Sequence, residues 1–309
     1  MITLDKIKIV TDMEHMTILD VSRFKKIEKQ GKICSFKFSQ RKPFLLTIEK
    51  DYVSGKVSIE FTGKILGSDY PKLISKYTIR QCFENINAMG FCSLNIDEIM
   101  SSAEVVKADV TKDVKGINTE QLTAYIQSHI ANYNMYVCRV LHNRNLVVEK
   151  NVVSNRCKKR ITIYNKEKEM QKTDKVKFAN SNGITNQFDG VCRFELNLNT
   201  KEQVRQALCI PDNKLSSVLE SQANPILDFL SDVVAQPQPI STTKWKSYTT
   251  LLVLKDCDYN LQQVEARIRG AYPRGTSIKN VMKPSRAMME EISKGECSDY
   301  WNDVMRKLE

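Results

Sequence analysis

Three short stretches of this chain set chemistry-bearing side chains inside apolar alternation. In CRFELNL (192–198), residues i and i+2 of a strand share a face, so Arg193 and Glu195 look one way while Cys192, Phe194 and Leu196 look the other. A charged pair within a packed strand is costly unless each member is paired or coordinates something. It is therefore either a structural ion pair or part of a site. In VVKADVTKDV (105–114), Asp109 shares a face with Lys107 and Thr111, and aspartate is a poor strand former. Glu60 in VSIEFTG occupies a similar mid-strand place. Three carboxylates on neighbouring strands suit a hard cation such as Mg²⁺ or Mn²⁺. A solvated strand face would explain any one of them alone.

The third stretch, ITIYNKEKE (161–169), carries a single tyrosine, Tyr164. If the strand continues, Thr162, Tyr164 and Lys166 share a face and the ammonium lies beside the phenol. A phenol titrates at about 10. It attacks a phosphodiester only where cations or a metal favour the phenolate. The surroundings are basic: from Arg156 to Lys177 there are nine basic and three acidic residues. Arg156, Lys158, Lys159 and Arg160 at the head of this run would hold a DNA backbone, and Glu169 would orient Lys166 if the chain turns helical there. Tyrosine is also an ordinary strand residue, so the stretch by itself leaves both readings open.

The elements that must position these groups are legible in the apolar spacing. ITLDKIKIV (2–10), KICSFKFS (32–39), FLLTIEKD (44–51) and KVSIEFTG (56–63) alternate as strands. YPKLISKYTIRQCFENINAMG (70–90) has helical spacing and stops at Gly90. Period two returns over 103–114, and a second helix follows over 119–133 with Thr119 as its expected N-cap. NLVVEKNVVSN and RITIYNK read as a hairpin pair, residues 171–190 as a polar loop, and 190–198 as a last strand. Beyond residue 200 the pattern is helical, interrupted by AQPQPISTTK (235–244), a linker-like stretch kept extended by its prolines. Two or three short helices follow. Strands first and helices later predict an α+β fold: an antiparallel-sheet domain with flanking helices over 1–235, then a smaller, mostly helical region over 236–309.

The order Asp in ADVT, Tyr-x-Lys-x-x-Glu in YNKEKE and Arg-x-Glu in RFE resembles the rolling-circle replication initiators of filamentous phages (gene II type) and their plasmid relatives. IEFTGKILGSDY (59–70) adds a vaguer echo, and the resemblance covers roughly residues 1–235. It implies a nuclease domain that nicks one DNA strand. Tyr164 would become linked to the 5′ end and leave a free 3′-OH. Asp109, Glu195 and Glu60 would hold Mg²⁺ or Mn²⁺, Lys166 and Arg193 would stabilise developing charge, and Glu169 would position Lys166. The chain departs from many tyrosine nickases in having no His-x-His pair among His15, His129 and His142. An all-carboxylate site is therefore implied.

Composition agrees with a polyanionic partner. Forty-seven Lys and Arg against 36 Asp and Glu give a net charge of +11, and phosphate contacts release counterions. The alternative is a basic surface that serves solubility. Nine scattered cysteines without Cys-x-x-Cys read as free thiols in a reducing compartment, and the expected location is cytoplasmic, with no membrane span. No P-loop pattern is present, so a nickase of this kind would work with a host helicase. The competing readings are a plasmid mobilisation relaxase with the same chemistry and a non-catalytic DNA-binding protein. The tail residues Arg267, Arg269, Arg274, Lys279, Lys283 and Arg286 suggest either a helix-turn-helix module reading duplex DNA or a solvated helical cap.

Overall fold

The computed structural model describes residues 1–130, 135–141, 144–152, 158–234, 245–273, 275–293 and 299–309. Its strands are β1 (Leu4–Asp12), β2 (Met16–Ile18), β3 (Lys25–Lys29), β4 (Lys32–Gln40), β5 (Leu46–Asp51), β6 (Lys56–Thr62), β7 (Cys92–Leu94), β8 (Glu104–Lys115), β9 (Tyr136–Val140), β10 (Leu146–Lys150), β11 (Arg160–Asn165) and β12 (Val191–Leu198). The fold is mixed α and β with a large antiparallel sheet, as the alternating and helical patterns predicted. The chain forms two compact units, Met1–Lys115 with Ser154–Ile226, and Gly116–Val153 with Leu227–Glu309. This division differs from the expected boundary at 235.

In the first unit the strands run β3-β4-β5-β6-β1-β8-β12-β11. The two halves of the sequence meet at β8, which pairs antiparallel with β1 on one side and β12 on the other. One face of the sheet is apolar because alternate residues are: Ile7, Ile9, Val57, Ile59 and Phe61 are fully buried. The helix Ile79–Ala88 lays Phe83 edge-on against Phe61, ring centroids 5.8 Å apart. Burying each such side chain stabilises by about 1.5–3 kcal/mol. The helix starts nine residues later than the spacing from Tyr70 suggested. Gly63–Lys72 instead winds as 3₁₀ turns broken at Gly67 (φ 61°), with Pro71 near its end. Leu73 closes that segment, and Thr78 donates its hydroxyl to the Leu73 carbonyl at 2.6 Å just before the helix begins.

A second correction concerns 171–190, expected as a loop. Thr173–Ser181 is helical and turns Phe178 and Ala179 inward. These two join Tyr70, Leu73, Met170, Ile184 and Phe188 in a small apolar cluster. Only a few of the segment's side chains are apolar, so its helical face was too narrow to register as periodicity.

In the second unit, β9 and β10 pair antiparallel, Arg139 and Glu149 forming a diagonal ion pair across them. The helix Thr119–Ser128 is capped by Asn118, one residue before the expected Thr119. It groups with the C-terminal helices Trp245–Asp256, Leu261–Gly270, Lys279–Ser293 and Asp299–Leu308 because Tyr125 stacks on Trp301 at 5.5 Å and Asn260 donates to the Gln127 carbonyl at 2.9 Å. Arg267 and Arg269 face Asp256 and Glu265 within their own helical region. The stretch 235–244 and Arg274 lie outside the described residues, as do Arg156 and His142. Among the described residues no helix is long and apolar enough to cross a membrane. The seven described cysteines, Cys82 and Cys192 among them, are free thiols.

Candidate active site

The other face of the first unit's sheet is polar, and its register decides which charges meet. Opposite residues are Tyr164 and Arg193, Thr162 and Glu195, Arg160 and Asn197 on β11 and β12. On β12 and β8 they are Arg193 and Asp113, Glu195 and Thr111, Asn197 and Asp109. Beyond β8, the pairing with β1 steps from Leu4–Val110 to Lys6–Asp109, leaving Asp5 as the extra residue of a bulge. Leu4 and Ile7, three apart, therefore both enter the core. Asp5 and Lys6 both turn to the polar face.

At one end of that face Arg193 is fully buried and wholly engaged. Its Nε and Nη2 donate to the two Asp113 carboxylate oxygens at 2.6 and 2.7 Å. Its Nη1 donates to Asp5 Oδ1 and to Tyr70 Oη, both at 2.8 Å. Burial opposes the guanidinium charge, but Tyr70, Asp113 and Asp5 hold it firmly protonated. Burial also opposes the Asp5 charge, and Arg193 and Lys166 nevertheless keep that carboxyl below its usual range. The guanidinium thus braces β8, β12 and the bulge of β1. It is not aimed at open space.

Tyr164 reaches diagonally across the strand pair and donates its hydroxyl to Glu195 Oε1 at 2.5 Å. A diagonal pair of this kind is within reach of a long side chain. Burial, with Glu195 alongside, pushes the phenol well above its ordinary value. Burial and the neighbouring Asp5 push Glu195 up to about 7. The expectation that cations hold Tyr164 as phenolate is thereby corrected: the phenol keeps its proton and a carboxylate of raised basicity receives the hydrogen bond.

Lys166 also departs from expectation. The strand ends at Asn165, whose side chain accepts from the Lys168 amide at 2.8 Å and caps the short helix Lys166–Met170. The ammonium of Lys166 consequently swings to Tyr70, donating to its Oη at 2.9 Å, and lies 5.6 Å from the Tyr164 ring centroid. The helical turn does place Glu169 three residues on, 2.9 Å from Lys166, with Lys175 on its other oxygen. Burial and Arg193 lower Lys166 to about 7.

A cavity of about 280 Å³ opens onto these groups, lined by Asp5, Tyr70, Tyr164, Lys166, Glu169 and Glu195 and rimmed by Arg41, Lys64 and Lys175. Burial and the neighbouring Lys166 lower both Lys64 and Lys175, the latter to about 8. Crowded cations of this kind gain from a bound anion, which offsets their mutual repulsion.

The remaining expected residues stand elsewhere on the same face. Glu60 accepts an ion pair from Lys6 at 2.7 Å. Burial raises the Asp109 carboxyl, with Asn197 and Lys6 acting against that rise. Glu60 and Asp109 lie on β6 and β8, the two neighbours of β1, strands about 9–10 Å apart at ordinary spacing, and they stand opposite Lys8 and Lys6, two positions out of register. The Lys6 side chain stands on the strand between them. Glu195 stands two positions before Asn197, the partner of Asp109, on β12. As a set of three, these carboxylates do not fit one cation. Among the described residues no group of three or more His, Cys, Asp or Glu side chains is arranged to hold a metal. Arg160 donates to Asn197 at 2.9 Å. Lys158 and Lys159 are half-buried just before it, and Arg156 lies outside the described residues.

Asp5, Tyr70, Asp113, Lys64 and Lys175 were not marked by the sequence patterns. Asp113 lies four residues after Asp109 on the same strand face and carried the same mid-strand signal. Asp5 carried it too, in ITLDKIKIV. Tyr70 and Lys64 lie within IEFTGKILGSDY, where no periodicity marks them. In comparisons with known proteins, no family model, no curated protein and no solved structure matches the chain.

Proposed function

We propose that the chain is a rolling-circle replication initiator, a nickase that cuts one DNA strand through a tyrosine–DNA intermediate and rejoins it. The observation that carries this reading is the 2.5 Å hydrogen bond from Tyr164 to Glu195 inside a cation-rimmed cavity. A nucleophile within hydrogen-bond reach of a base whose pKa sits near neutrality is the arrangement that general-base catalysis needs. The order of the three short motifs supports the same reading.

In this mechanism a phosphodiester settles among Arg41, Lys64 and Lys175. The Tyr164 oxygen forms a bond to phosphorus as its proton passes to Glu195. The bond from phosphorus to the 3′ oxygen breaks, that oxygen takes a proton from water, and the 5′ end stays on Tyr164. Lys166 and Tyr70 form the wall behind the nucleophile, and Arg193 holds Asp5 and Glu195 in register. No step is routed through a cation, because the expected carboxylates stand apart. In rejoining, a 3′-OH attacks phosphorus as its proton passes back to solvent, the bond from phosphorus to the Tyr164 oxygen breaks, and Glu195 returns its proton to that oxygen.

The test is a covalent adduct. Wild-type protein incubated with supercoiled origin DNA or a single strand bearing the nick site should yield a peptide containing phosphorylated Tyr164 by mass spectrometry. Tyr164→Phe should yield none while binding DNA nearly as well. An adduct on another tyrosine would move the nucleophile. Unaltered function in Tyr164→Phe would favour the non-catalytic DNA-binding reading.

A further inference from the structure

A second, larger cavity adjoins the first. It measures about 800 Å³ and lies between the segment Arg41–Phe44, the 3₁₀ turns after β6 and the helix Thr173–Ser181. The two cavities share Arg41, Pro43, Phe44, Lys64 and Lys175, so one leads into the other. The lining of the larger one carries five cations, Arg41, Lys42, Lys64, Lys175 and Lys177, against one acid, Asp174. Asp174 is engaged by Lys42 at 2.8 Å on the exposed rim, and an exposed pair of that kind is weak. Phe44 is half-exposed and lines both cavities. Lys64 lies over the Phe178 ring at 5.3 Å, which fixes the ammonium at the junction.

From this geometry we propose that the groove holds the segment of single-stranded DNA next to the phosphate in the Tyr164 cavity, its backbone on Arg41, Lys64, Lys175 and Lys177 and one base stacked on Phe44. The inference rests on the nickase reading for the position of the scissile phosphate, but binding in the groove does not require cleavage. A cationic track interleaved with an aromatic platform is how proteins take up single strands without reading sequence. The cavity's size also speaks for a single strand. It falls within the range of about 300–1,000 Å³ typical of pockets that enclose one small molecule. A duplex, whose major groove alone is about 12 Å wide, would rest on the rim instead of entering.

The experiment is fluorescence anisotropy with a short fluorescein-labelled oligothymidylate and the full chain, titrated at several salt concentrations. Arg41 and Lys177 are exposed, so Arg41→Ala/Lys177→Ala is expected to fold, as circular dichroism would verify. This double variant should bind roughly tenfold more weakly, and its log–log salt slope should shrink by about 1.4, two lost phosphate contacts on a single strand. Phe44→Ala should weaken binding roughly tenfold at every salt concentration without altering the slope, and Phe44→Tyr should restore it. Wild-type affinity in both the double variant and Phe44→Ala would overturn the proposal. So would equal or tighter binding of a duplex of the same length, or displacement of the strand by thymidine monophosphate at matching concentration. Tyr164→Phe separates the two readings. If it binds the oligothymidylate normally while wild-type protein forms no adduct on its nick site, the nickase fails and the groove stands. If the adduct forms but the groove variants bind as wild type, the reverse holds.

Discussion

Two ends of one polar sheet face carry the same kind of sequence and reach different outcomes. At one end Arg193, Glu195, Asp5 and Asp113 converge under a lid made by Tyr70, Phe178 and Phe188. At the other, Glu60, Lys6 and Asp109 form a half-exposed ladder whose members neutralise one another, Lys6 and Glu60 being 31% and 20% exposed. Both ends are acids placed mid-strand between apolar neighbours. What separates them is cover. The 3₁₀ turns and the helix Thr173–Ser181 exclude water from the first end, where burial brings Glu195 up and Lys166 down to about 7 while Arg193 holds Asp5 low. A mid-strand acid becomes chemically useful when something desolvates it.

The largest expected effect is on cleavage at the covered end. Glu195→Gln keeps the shape but removes the base, and nicking should fall by roughly 10²–10⁴-fold, the usual contribution of a positioned general base. Single-turnover cleavage of a labelled strand would measure it. A variant that cleaved normally would show that the hydrogen bond from Tyr164 is structural.

Stability should divide the two ends next. Arg193→Met strands Asp113 and Asp5 without their cation, and breaking a buried pair costs about 3–5 kcal/mol. Lys6→Met at the open end should cost about 0–1 kcal/mol, as surface pairs do. Urea denaturation of the two variants side by side would sharpen the contrast, and equal losses would erase it.

A pH profile tests the same distinction through one group. Glu195 must be ionised to accept the phenolic proton, and its carboxyl sits at about 7. Cleavage should therefore rise with pH, by about tenfold per unit below that value, and level off above it. In Glu195→Gln the residual rate should lose this ionisation. A limb that persists unchanged would assign it to another group, Lys166 being the nearest with a value of about 7.

The smallest effect is expected at the open end. Asp109→Asn and Glu60→Gln should leave cleavage within about twofold, since neither residue lines the Tyr164 cavity. If either variant instead abolished cleavage and made it insensitive to added Mg²⁺, the three carboxylates would be acting together in a rearranged site.

How much could be read beforehand varies by residue. Period-two alternation marked β1, β4, β5, β6, β8 and β12 closely, because one face of each must be apolar to be buried. The pairings of Arg193 with Glu195 on one face, and of Glu169 with Lys166 across a helical turn, follow from spacing within single elements. Asp5 and Tyr70 were invisible as site residues. One reaches the site through a bulge, the other through a proline-ended 3₁₀ turn, and neither leaves a periodic trace. Lys166 was legible as a cation but not as a partner of Tyr70, since Asn165 ends the strand one residue too soon.

The amino-acid sequence by itself determined which residues alternate, which turn helical and which carry charge, since those depend on neighbours a few positions apart. Register and the bulge at Asp5 arise from pairings of β8 with β1 and β12, whose partners are all more than 75 residues apart along the chain. Only the tertiary structure decided that Asp113, and not Asp109, meets Arg193, because antiparallel pairing sets opposite residues by the sum of their positions, and no local pattern encodes that sum.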